Sequence, residues 1–447
     1  MRYVVISVTN SKADQAEAEL QRAPAARKWW VYLKSLGPGL ITGASDDDPA
    51  GIGTYAQSGA QFGYGQLWTA LITFPLMAVV QEMCARIALE TGAGLAVVLR
   101  KHYPRPVLYF CVCLLVVANT INLGADLGAM AAAGQLMIPI PFLLWLIGIT
   151  LVTVVLEVLV DYRQYARFLR FLTLSLFAYV LVVFVVKQDW GQALRATFVP
   201  SLQLNRDYLL NLVAVLGTTI SPYLFFWQAS QEVEEEIDEG RTTPESRRGA
   251  SRLELKWMRA DVVSGMLFSN VIMWCIMVTS ASTLYQAGTH QIDTAAQAAQ
   301  ALQPLAGPFA ALLFAAGIVG TGLLAVPILA GSAAYAVADS LRWPEGLGLK
   351  LGQAPAFYAV IIVATGVGAA INLVGINPIR ALVYTSVING LVAPPLLLML
   401  MLIANNRRIM RERVNGWFSN VLGWFTTAAL SAAAVAMLVS LVVGGGQ

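Results

Sequence analysis

Long apolar blocks restrict the fold of this chain more than any other feature of its sequence. Each block of about 20 residues is long enough to cross a hydrocarbon core of ~30 Å as a helix. Only 12% of the 447 residues are charged, about half the usual fraction of a soluble domain. Backbone groups in lipid have to be hydrogen-bonded within the protein, so the blocks predict an all-α polytopic membrane protein. About eleven spans are predicted, at 37–59, 67–91, 106–134, 139–160, 167–187, 208–230, 260–284, 305–335, 355–374, 377–404 and 417–443.

The distribution of Lys and Arg predicts the orientation of these spans. Most of the 29 basic residues fall in the N-terminal tail or in connections on the same side of the membrane as the tail, and such segments face the cytoplasm. We therefore expect a multi-pass protein of a bacterial inner membrane, with residues 1–34 as a cytoplasmic tail and residues 35–447 as one transmembrane domain. The net charge of +3 does not indicate a nucleic-acid partner, and neither an obligate protein partner nor a cofactor is expected.

Two spans are interrupted near mid-membrane by proline. In the first span, Asp46, Asp47 and Asp48 run into Pro49, and in the sixth a stretch of small and polar residues runs into Pro222. Proline breaks the helical hydrogen-bond ladder, and the freed backbone groups are tolerated in a membrane only where they line a cavity. The breaks open two successive five-span units, 37–187 and 208–404, followed by an extra helix at 417–443. This arrangement is typical of inverted repeats that meet at a midplane site.

The three consecutive carboxylates need a partner inside the membrane. A charge at the bilayer centre costs at least ~2.5–3.5 kcal/mol, and neither broken span contains a Lys or Arg. A bound cation or proton is the natural counter-charge. We predict that Asp48, directly before the proline, coordinates a cation, whereas Asp46 and Asp47 either assist it or face an aqueous vestibule.

At these residues the chain resembles the NRAMP divalent-metal transporters, which implies a LeuT-like 5+5 inverted repeat with broken helices 1 and 6. The likeness covers nearly all of residues 35–405 and is strongest in the first hundred. Its motifs are specific only as a set. They are Gly37-Pro38-Gly39, Asp48-Pro49-Ala50-Gly51, the run SGAQFGYGQLW ending at Trp68, then Gln81, Ala85, Arg86, Thr91 and Gly92, and the pair Tyr162-Arg163.

The resemblance implies a metal site shared by the first and sixth spans. Asp48 stands for the family Asp, Gly51 for its Asn and Ser221 for its methionine, while Thr218 supplies a backbone carbonyl. Three further residues are expected near the metal: Asp47, Tyr223 in place of a family histidine, and Asn389 in span ten. The stretch of Thr385, Ser386 and Asn389 is equally consistent with hydrogen bonds between helices.

The departures from the family pattern predict the substrate. Thioether sulfur favours transition metals, whereas Mg²⁺ prefers oxygen ligands and retains several waters. Loss of the methionine and the Asn amide leaves a roomier, all-oxygen site, so the chain resembles the NRAMP-related magnesium branch. We predict Mg²⁺, and also Mn²⁺, as transported substrates. Tyr223 and Gln228 replace two family histidines, and neither titrates near physiological pH. Passive uptake without proton coupling is therefore expected.

Other interpretations remain open at this stage. The chain could be a proton-coupled Mn²⁺/Fe²⁺ symporter, or a sodium-coupled symporter of an organic solute, although the acidic cluster would repel a substrate carboxylate. An intramembrane aspartyl protease would need Asp48 and Asp126 as a close pair. Asp126 either matches a family acid or contacts Asn119 or Asn122. The charged connection 231–259 is either a solvated hairpin or helix extension, or a regulatory or ion-attracting segment.

Overall fold

A computed structural model of the protein describes residues 11–22, 32, 37–160 and 176–444, and the regular elements in these ranges are helices. Short 3₁₀ and single-turn segments connect them. The helices of eight residues or more are α1 Lys12–Arg22, α2 Pro38–Asp46, α3 Pro49–Phe62, α4 Trp68–Thr91, α5 Leu95–His102, α6 Arg105–Met137, α7 Phe142–Leu159, α8 Phe177–Val185, α9 Trp190–Phe198, α10 Arg206–Thr219, α11 Pro222–Asp238, α12 Arg252–Ser280, α13 Ala310–Leu341, α14 Pro355–Ile371, α15 Pro378–Ala404 and α16 Trp417–Gly444.

The membrane spans lie where the apolar blocks predict them. Within the described chain, nine helical segments are long and apolar enough to cross a membrane. The broken first span (α2 and α3) and the described end of the fifth (α8) complete the predicted eleven. The remainder of the fifth span, 167–175, and the Tyr162-Arg163 pair lie outside the described residues. Large apolar side chains such as Leu144 and Val363 are exposed on the outer helices, as expected of a surface covered by lipid.

Each broken span consists of two helices that meet at a proline. The first span stops at Asp46 and resumes at Pro49, and the sixth stops at Thr219 and resumes at Pro222. Proline suits the first position of a helix because its fixed φ is helical and its missing N–H would have no partner there. The two interruptions predicted from the sequence are therefore confirmed.

The halves of the two broken spans cross in the manner of an inverted repeat. Half-helix α2 packs against α11, and α3 packs against α10, so the first half of each broken span meets the second half of the other. The third spans of the two units, α6 and α13, also pack against each other. The predicted fold, a LeuT-like arrangement of two inverted five-span units, is confirmed.

Small residues allow α2 to approach the seventh span closely. A Cβ atom at Gly39 would lie only 2.6 Å from the backbone nitrogen of Val262, and one at Gly43 would overlap the backbone of Gly265. The spacing Gly39-x-x-x-Gly43 is the small-residue pattern by which membrane helices pack backbone to backbone. The contact fixes the position of the first half-helix against the seventh span, and hence the position of the carboxylates at its end.

The charged connection between the sixth and seventh spans is mostly helical. The sixth span continues to Asp238, and the seventh begins at Arg252, which shortens the predicted 231–259 connection to residues 239–251. A capping box starts α12: the Glu254 backbone N–H donates to the Ser251 hydroxyl, and the Glu254 carboxylate accepts from the Ser251 N–H. The helix-extension interpretation is therefore confirmed for both ends.

Candidate metal site

The three consecutive carboxylates lie at the break of the first span and are almost completely buried. Asp46 and Asp47 are 0% exposed and Asp48 is 2% exposed. Asp48 is the N-cap of α3, and one of its oxygens accepts a hydrogen bond from the Gly51 N–H across 2.6 Å. A helix N-terminus favours a carboxylate at this position because its N–H groups and its dipole both attract negative charge.

A second hydrogen bond to Asp48 comes from the third span. The Asn122 side-chain amide donates to the other Asp48 oxygen across 3.1 Å, and the Thr385 hydroxyl donates to the Asn122 oxygen across 2.9 Å. The sequence did not identify Asn122 as part of the site. The available signal was its position four residues before Asp126, which places both polar side chains on one face of an otherwise apolar helix.

Asp126 also binds the break, but at a different atom. Its carboxylate accepts a hydrogen bond from the Ala50 N–H across 3.1 Å, while its second oxygen is buried without a hydrogen-bond partner among the described residues. The expected contact between Asp126 and Asn119 or Asn122 is wrong, because Asn119 donates to the Leu329 carbonyl and Asn122 donates to Asp48. Asp126 therefore satisfies a backbone group that proline freed.

The other two carboxylates of the break share one hydroxyl. Ser269 of α12 lies 2.8 Å from an Asp46 oxygen and 3.4 Å from an Asp47 oxygen. The remaining oxygen of each carboxylate is buried with no hydrogen-bond partner in the described part of the chain. A buried carboxylate in such a position is stable when a cation pairs with it or when it is protonated.

Oxygen atoms from both broken spans converge on Gly51. A Cβ atom at this position would lie 2.9 Å from the Asp46 carbonyl oxygen, 3.2 Å from an Asp48 carboxylate oxygen and 3.4 Å from the Thr218 hydroxyl. Glycine therefore lets a carboxylate, a carbonyl and a hydroxyl approach the start of α3 more closely than a side chain would allow. Oxygen donors of this kind suit hard cations such as Mg²⁺ and Mn²⁺.

The predicted ligands of the sixth span are hydrogen-bonded to one another. The Ser221 hydroxyl donates to the Thr218 carbonyl across 2.6 Å and to the Gly217 carbonyl across 3.0 Å. Ser221 thus satisfies carbonyls at the end of α10. A carbonyl oxygen has two lone pairs, so Thr218 keeps one for an ion. The Tyr223 hydroxyl donates to the Ser45 carbonyl across 3.0 Å and lies beside the Asp48 carboxylate.

Asn389, the third predicted residue near the metal, is outside the hydrogen-bond network found among the described residues. It is buried in α15, one turn beyond Thr385, and within the described chain it makes no hydrogen bond to Asp48. Thr385 is the residue of this stretch that reaches the site, through Asn122. No three His, Cys, Asp or Glu side chains in the described ranges converge as a preformed metal cluster.

The family described as "Natural resistance-associated macrophage protein-like", or Nramp, matches residues 39–440. The chain belongs to the Nramp family. A "Divalent metal cation transporter MntH" of Deinococcus radiodurans is 27% identical to this Nramp protein over 416 residues, covering 92% of this chain and 90% of the relative. Another, from Caldanaerobacter subterraneus, is 25% identical over 400 residues, covering 88% and 89%.

Solved structures share the fold of this Nramp protein. A manganese transporter of Eremococcus coleocola, in complex with an aromatic bis-isothiourea substituted compound, matches with a TM-score of 0.71 at 17% identity, covering 95% of this chain and 90% of that chain. Mhp1, a nucleobase-cation-symport-1 family transporter in a closed conformation, matches with a TM-score of 0.56 at 14% identity, covering 91% and 92%.

Membership of the Nramp family decides between the transporter and the protease interpretations. The relatives are transport proteins, and this Nramp protein is accordingly a membrane transporter and not an enzyme. The protease interpretation is therefore wrong. Asp48 and Asp126 do lie near each other, but each accepts a backbone N–H at the break, from Gly51 and Ala50 respectively.

Proposed function

We propose that this protein carries divalent cations, Mg²⁺ and also Mn²⁺, into the cell by alternating access. The observation that carries the proposal is the convergence of the Asp46 carbonyl, the Asp48 carboxylate and the Thr218 hydroxyl on Gly51. The relatives named as divalent metal cation transporters support the ion class. The transported ion is a substrate of the protein and not a resident cofactor.

The proposed preference for Mg²⁺ follows from the ligand set. The family pattern has an amide at the position of Gly51 and a thioether at that of Ser221. Here the amide is absent. The thioether is replaced by the Ser221 hydroxyl, which donates to the carbonyls of Gly217 and Thr218. Mg²⁺ is usually held by one or two carboxylates with several waters retained. A site of oxygen ligands without the family thioether matches that requirement, and Mn²⁺ accepts the same oxygens.

Uncoupled transport is the second part of the proposal. The Tyr223 hydroxyl donates to a backbone carbonyl, and Gln228 accepts from Thr42 across 2.6 Å and donates to Glu232 across 2.8 Å. Tyrosine and glutamine therefore occupy hydrogen-bonded positions where the family pattern has histidines, the side chains that titrate near physiological pH. The membrane potential supplies ~2.3 kcal/mol per charge per 100 mV, about twice that for a divalent cation, which suffices to drive entry.

We infer that the N-terminus faces the cytoplasm of a bacterial inner membrane. Three basic segments of the sequence contact one another and so lie on one side of the bilayer. Arg413 donates to the Ala250 carbonyl across 3.1 Å, and Arg247 donates to the Gly92 carbonyl across 3.2 Å. Clustering of Arg and Lys on one side supports a cytoplasmic location for that side.

A proton-coupled symporter of Mn²⁺ or Fe²⁺ is the alternative that one specific observation favours. One Asp126 oxygen, which has no hydrogen-bond partner in the part of the chain that the structure describes, lies at the break of the first span, where a proton carrier would have to act. A sodium-coupled symporter of an organic solute is less well supported, because the three carboxylates would repel an anionic substrate.

Uptake into proteoliposomes tests the proposal. Mg²⁺, Mn²⁺ and Ca²⁺ entry is measured with and without a pH gradient, for the wild type and for Asp48→Asn. Asparagine keeps the N-cap function of Asp48 while removing its charge. The control is Asp189→Asn, since Asp189 caps α9 at the protein surface. Asp48→Asn is expected to abolish Mg²⁺ entry and the control to retain it. Acidification of the lumen during Mg²⁺ entry would show that transport is proton-coupled, and full flux in Asp48→Asn would exclude the site.

A further inference from the structure

A cavity lined by acidic side chains lies at the N-terminal end of α2, the half-helix that leads to the metal site. Its volume is about 80 Å³, and we call it the acidic vestibule. Arg241 and Lys12 are the basic residues of its lining, and Arg241 pairs with three of the carboxylates. The acidic residues that line the vestibule are Glu232, Glu235, Glu236, Glu239, Glu254 and Asp261. Most of them belong to the charged segment that follows the sixth span.

Hydrogen bonds connect the vestibule to the broken first span. Asp261 caps the N-terminus of α2, accepting from Gly37 across 3.0 Å and from Gly39 across 2.6 Å. One turn before Asp46, the Thr42 hydroxyl donates to Gln228, which in turn donates to the vestibule residue Glu232. The vestibule therefore lies at the N-terminal end of α2, and hydrogen bonds connect its lining to the first half of the broken span.

The N-terminal helix α1 covers the vestibule. The Lys12 ammonium pairs with Glu235, and the Lys12 backbone N–H donates to Glu239 across 2.9 Å, so that a carboxylate sits at the positive end of the helix. The small side chains of Ala13 and Ala16 are buried beneath α1. At its outer side, Glu17 lies 3.7 Å from Lys256 of α12.

We propose that α1 is an autoinhibitory plug, which closes the cytoplasmic mouth of the ion pathway by placing Lys12 among the vestibule carboxylates. This inference rests on the proposed function, since the vestibule is where an ion leaving Asp48 would reach the cytoplasm. Lys12 acts as a tethered cation: it occupies the negative potential that would otherwise attract mobile cations. Ion release requires that α1 lift away or shift.

The ion pair that joins α1 to the vestibule is partly exposed to solvent. The side chains of Lys12 and Glu235 are 60% and 26% exposed. Ion pairs with this exposure contribute little to stability and are screened by salt. The plug therefore dissociates more readily as ionic strength rises, which a permanently packed helix would not do.

Cysteine labelling tests the docking of α1 without any assumption about transport. Ala16→Cys is introduced into a Cys113→Ala background, because Cys113 is exposed and the other three cysteines are buried. The rate of labelling by a membrane-impermeant maleimide is measured in detergent. Lys12→Gln is expected to raise this rate about two- to fivefold, the range set by losing one half-exposed ion pair. The control, Arg22→Gln at the exposed far end of α1, removes the same charge and should leave the rate unchanged.

Uptake measurements test whether docking limits transport. Lys12→Gln should increase the initial rate of Mg²⁺ entry and Arg22→Gln should not. Lys12→Glu should increase it further, and adding Glu235→Lys should restore the wild-type rate by reversing the pair. Equal labelling of the two neutralised proteins, or faster labelling with unchanged uptake, would overturn the proposal. Absence of uptake in every protein would instead contradict the proposed function, while the labelling result would still decide whether α1 docks.

Discussion

The side-chain amide of Asn122 donates a hydrogen bond to the Asp48 carboxylate across 3.1 Å, and so ties the break of the first span to the third span. The amide is itself oriented by Thr385, whose hydroxyl donates to the Asn122 oxygen. Asp48 thus has one donor on each oxygen, from Gly51 and Asn122. These donors fix the direction in which its free lone pairs point, and a cation has to bind along those directions.

Removal of Asn122 should weaken cation binding. In Asn122→Ala, one Asp48 oxygen loses a charge-assisted hydrogen bond, and we expect the KM for Mg²⁺ to rise about tenfold. Thr385→Val removes only the neutral bond that orients the amide, so its KM should rise about threefold. Initial rates of uptake over a range of Mg²⁺ concentrations measure both. A larger rise in KM for Thr385→Val than for Asn122→Ala would contradict the interpretation that Thr385 acts on Asp48 only through Asn122.

A side chain at Gly51 should reduce the space for a hydrated ion. A Cβ atom there would stand 2.9 Å from the Asp46 carbonyl oxygen, so Gly51→Ala should lower Mg²⁺ uptake by obstruction alone. Gly51→Asn adds an amide oxygen as well, and should lower Mg²⁺ uptake more than Mn²⁺ uptake because Mg²⁺ gives up water reluctantly. The ratio of Mg²⁺ to Mn²⁺ flux is the measurement, with Gly51→Ala as the matched control. An unchanged ratio in Gly51→Asn would count against a site whose selectivity depends on room.

A thioether at position 221 should shift selectivity toward softer metals. Ser221→Met places sulfur at the edge of the site, and we expect Cd²⁺ to inhibit Mn²⁺ uptake at lower concentration than in the wild type. Loss of the Ser221 hydroxyl also leaves two carbonyls of α10 without their donor. Ser221→Leu loses the same hydrogen bonds without gaining sulfur, and therefore separates the two effects. If Ser221→Leu and Ser221→Met respond to Cd²⁺ alike, sulfur is not a ligand here.

The close contact between α2 and α12 should not tolerate a methyl group. Gly43→Ala would push Cβ into the backbone of Gly265, and overpacking of this kind costs about 1–3 kcal/mol. We expect a lower melting temperature in detergent. Gly366→Ala is the control, because nothing lies within 4 Å of a Cβ at that position of α14, and alanine favours a helix over glycine. Equal melting temperatures for the two proteins would show that α2 and α12 can move apart without loss of stability.

The sequence by itself determined the spans, the two breaks and the acidic residue at the centre. Span length is set by the thickness of the bilayer, and a proline at mid-span interrupts a helix whatever its neighbours are. These are local properties, and so the predicted spans agree within a few residues with the membrane-crossing helices of the described chain, apart from the charged ends of α11 and α12 and the C-terminal end of α13. The short helices α5 and α9 lie between predicted spans and were not predicted. The burial of Asp48 at the break follows from the same two facts.

Only the tertiary structure decided which side chains meet at the break. Asn122, Ser269 and Thr385 come from three different spans, and each contacts the site because of how its helix is rotated and shifted against the first. That rotation depends on close contacts such as Gly43 against Gly265, which apolar patterning does not encode. The docking of α1 on the vestibule likewise depends on where distant carboxylates converge. Composition fixes how a helix sits in the membrane, whereas packing between helices fixes which of its residues face the ion.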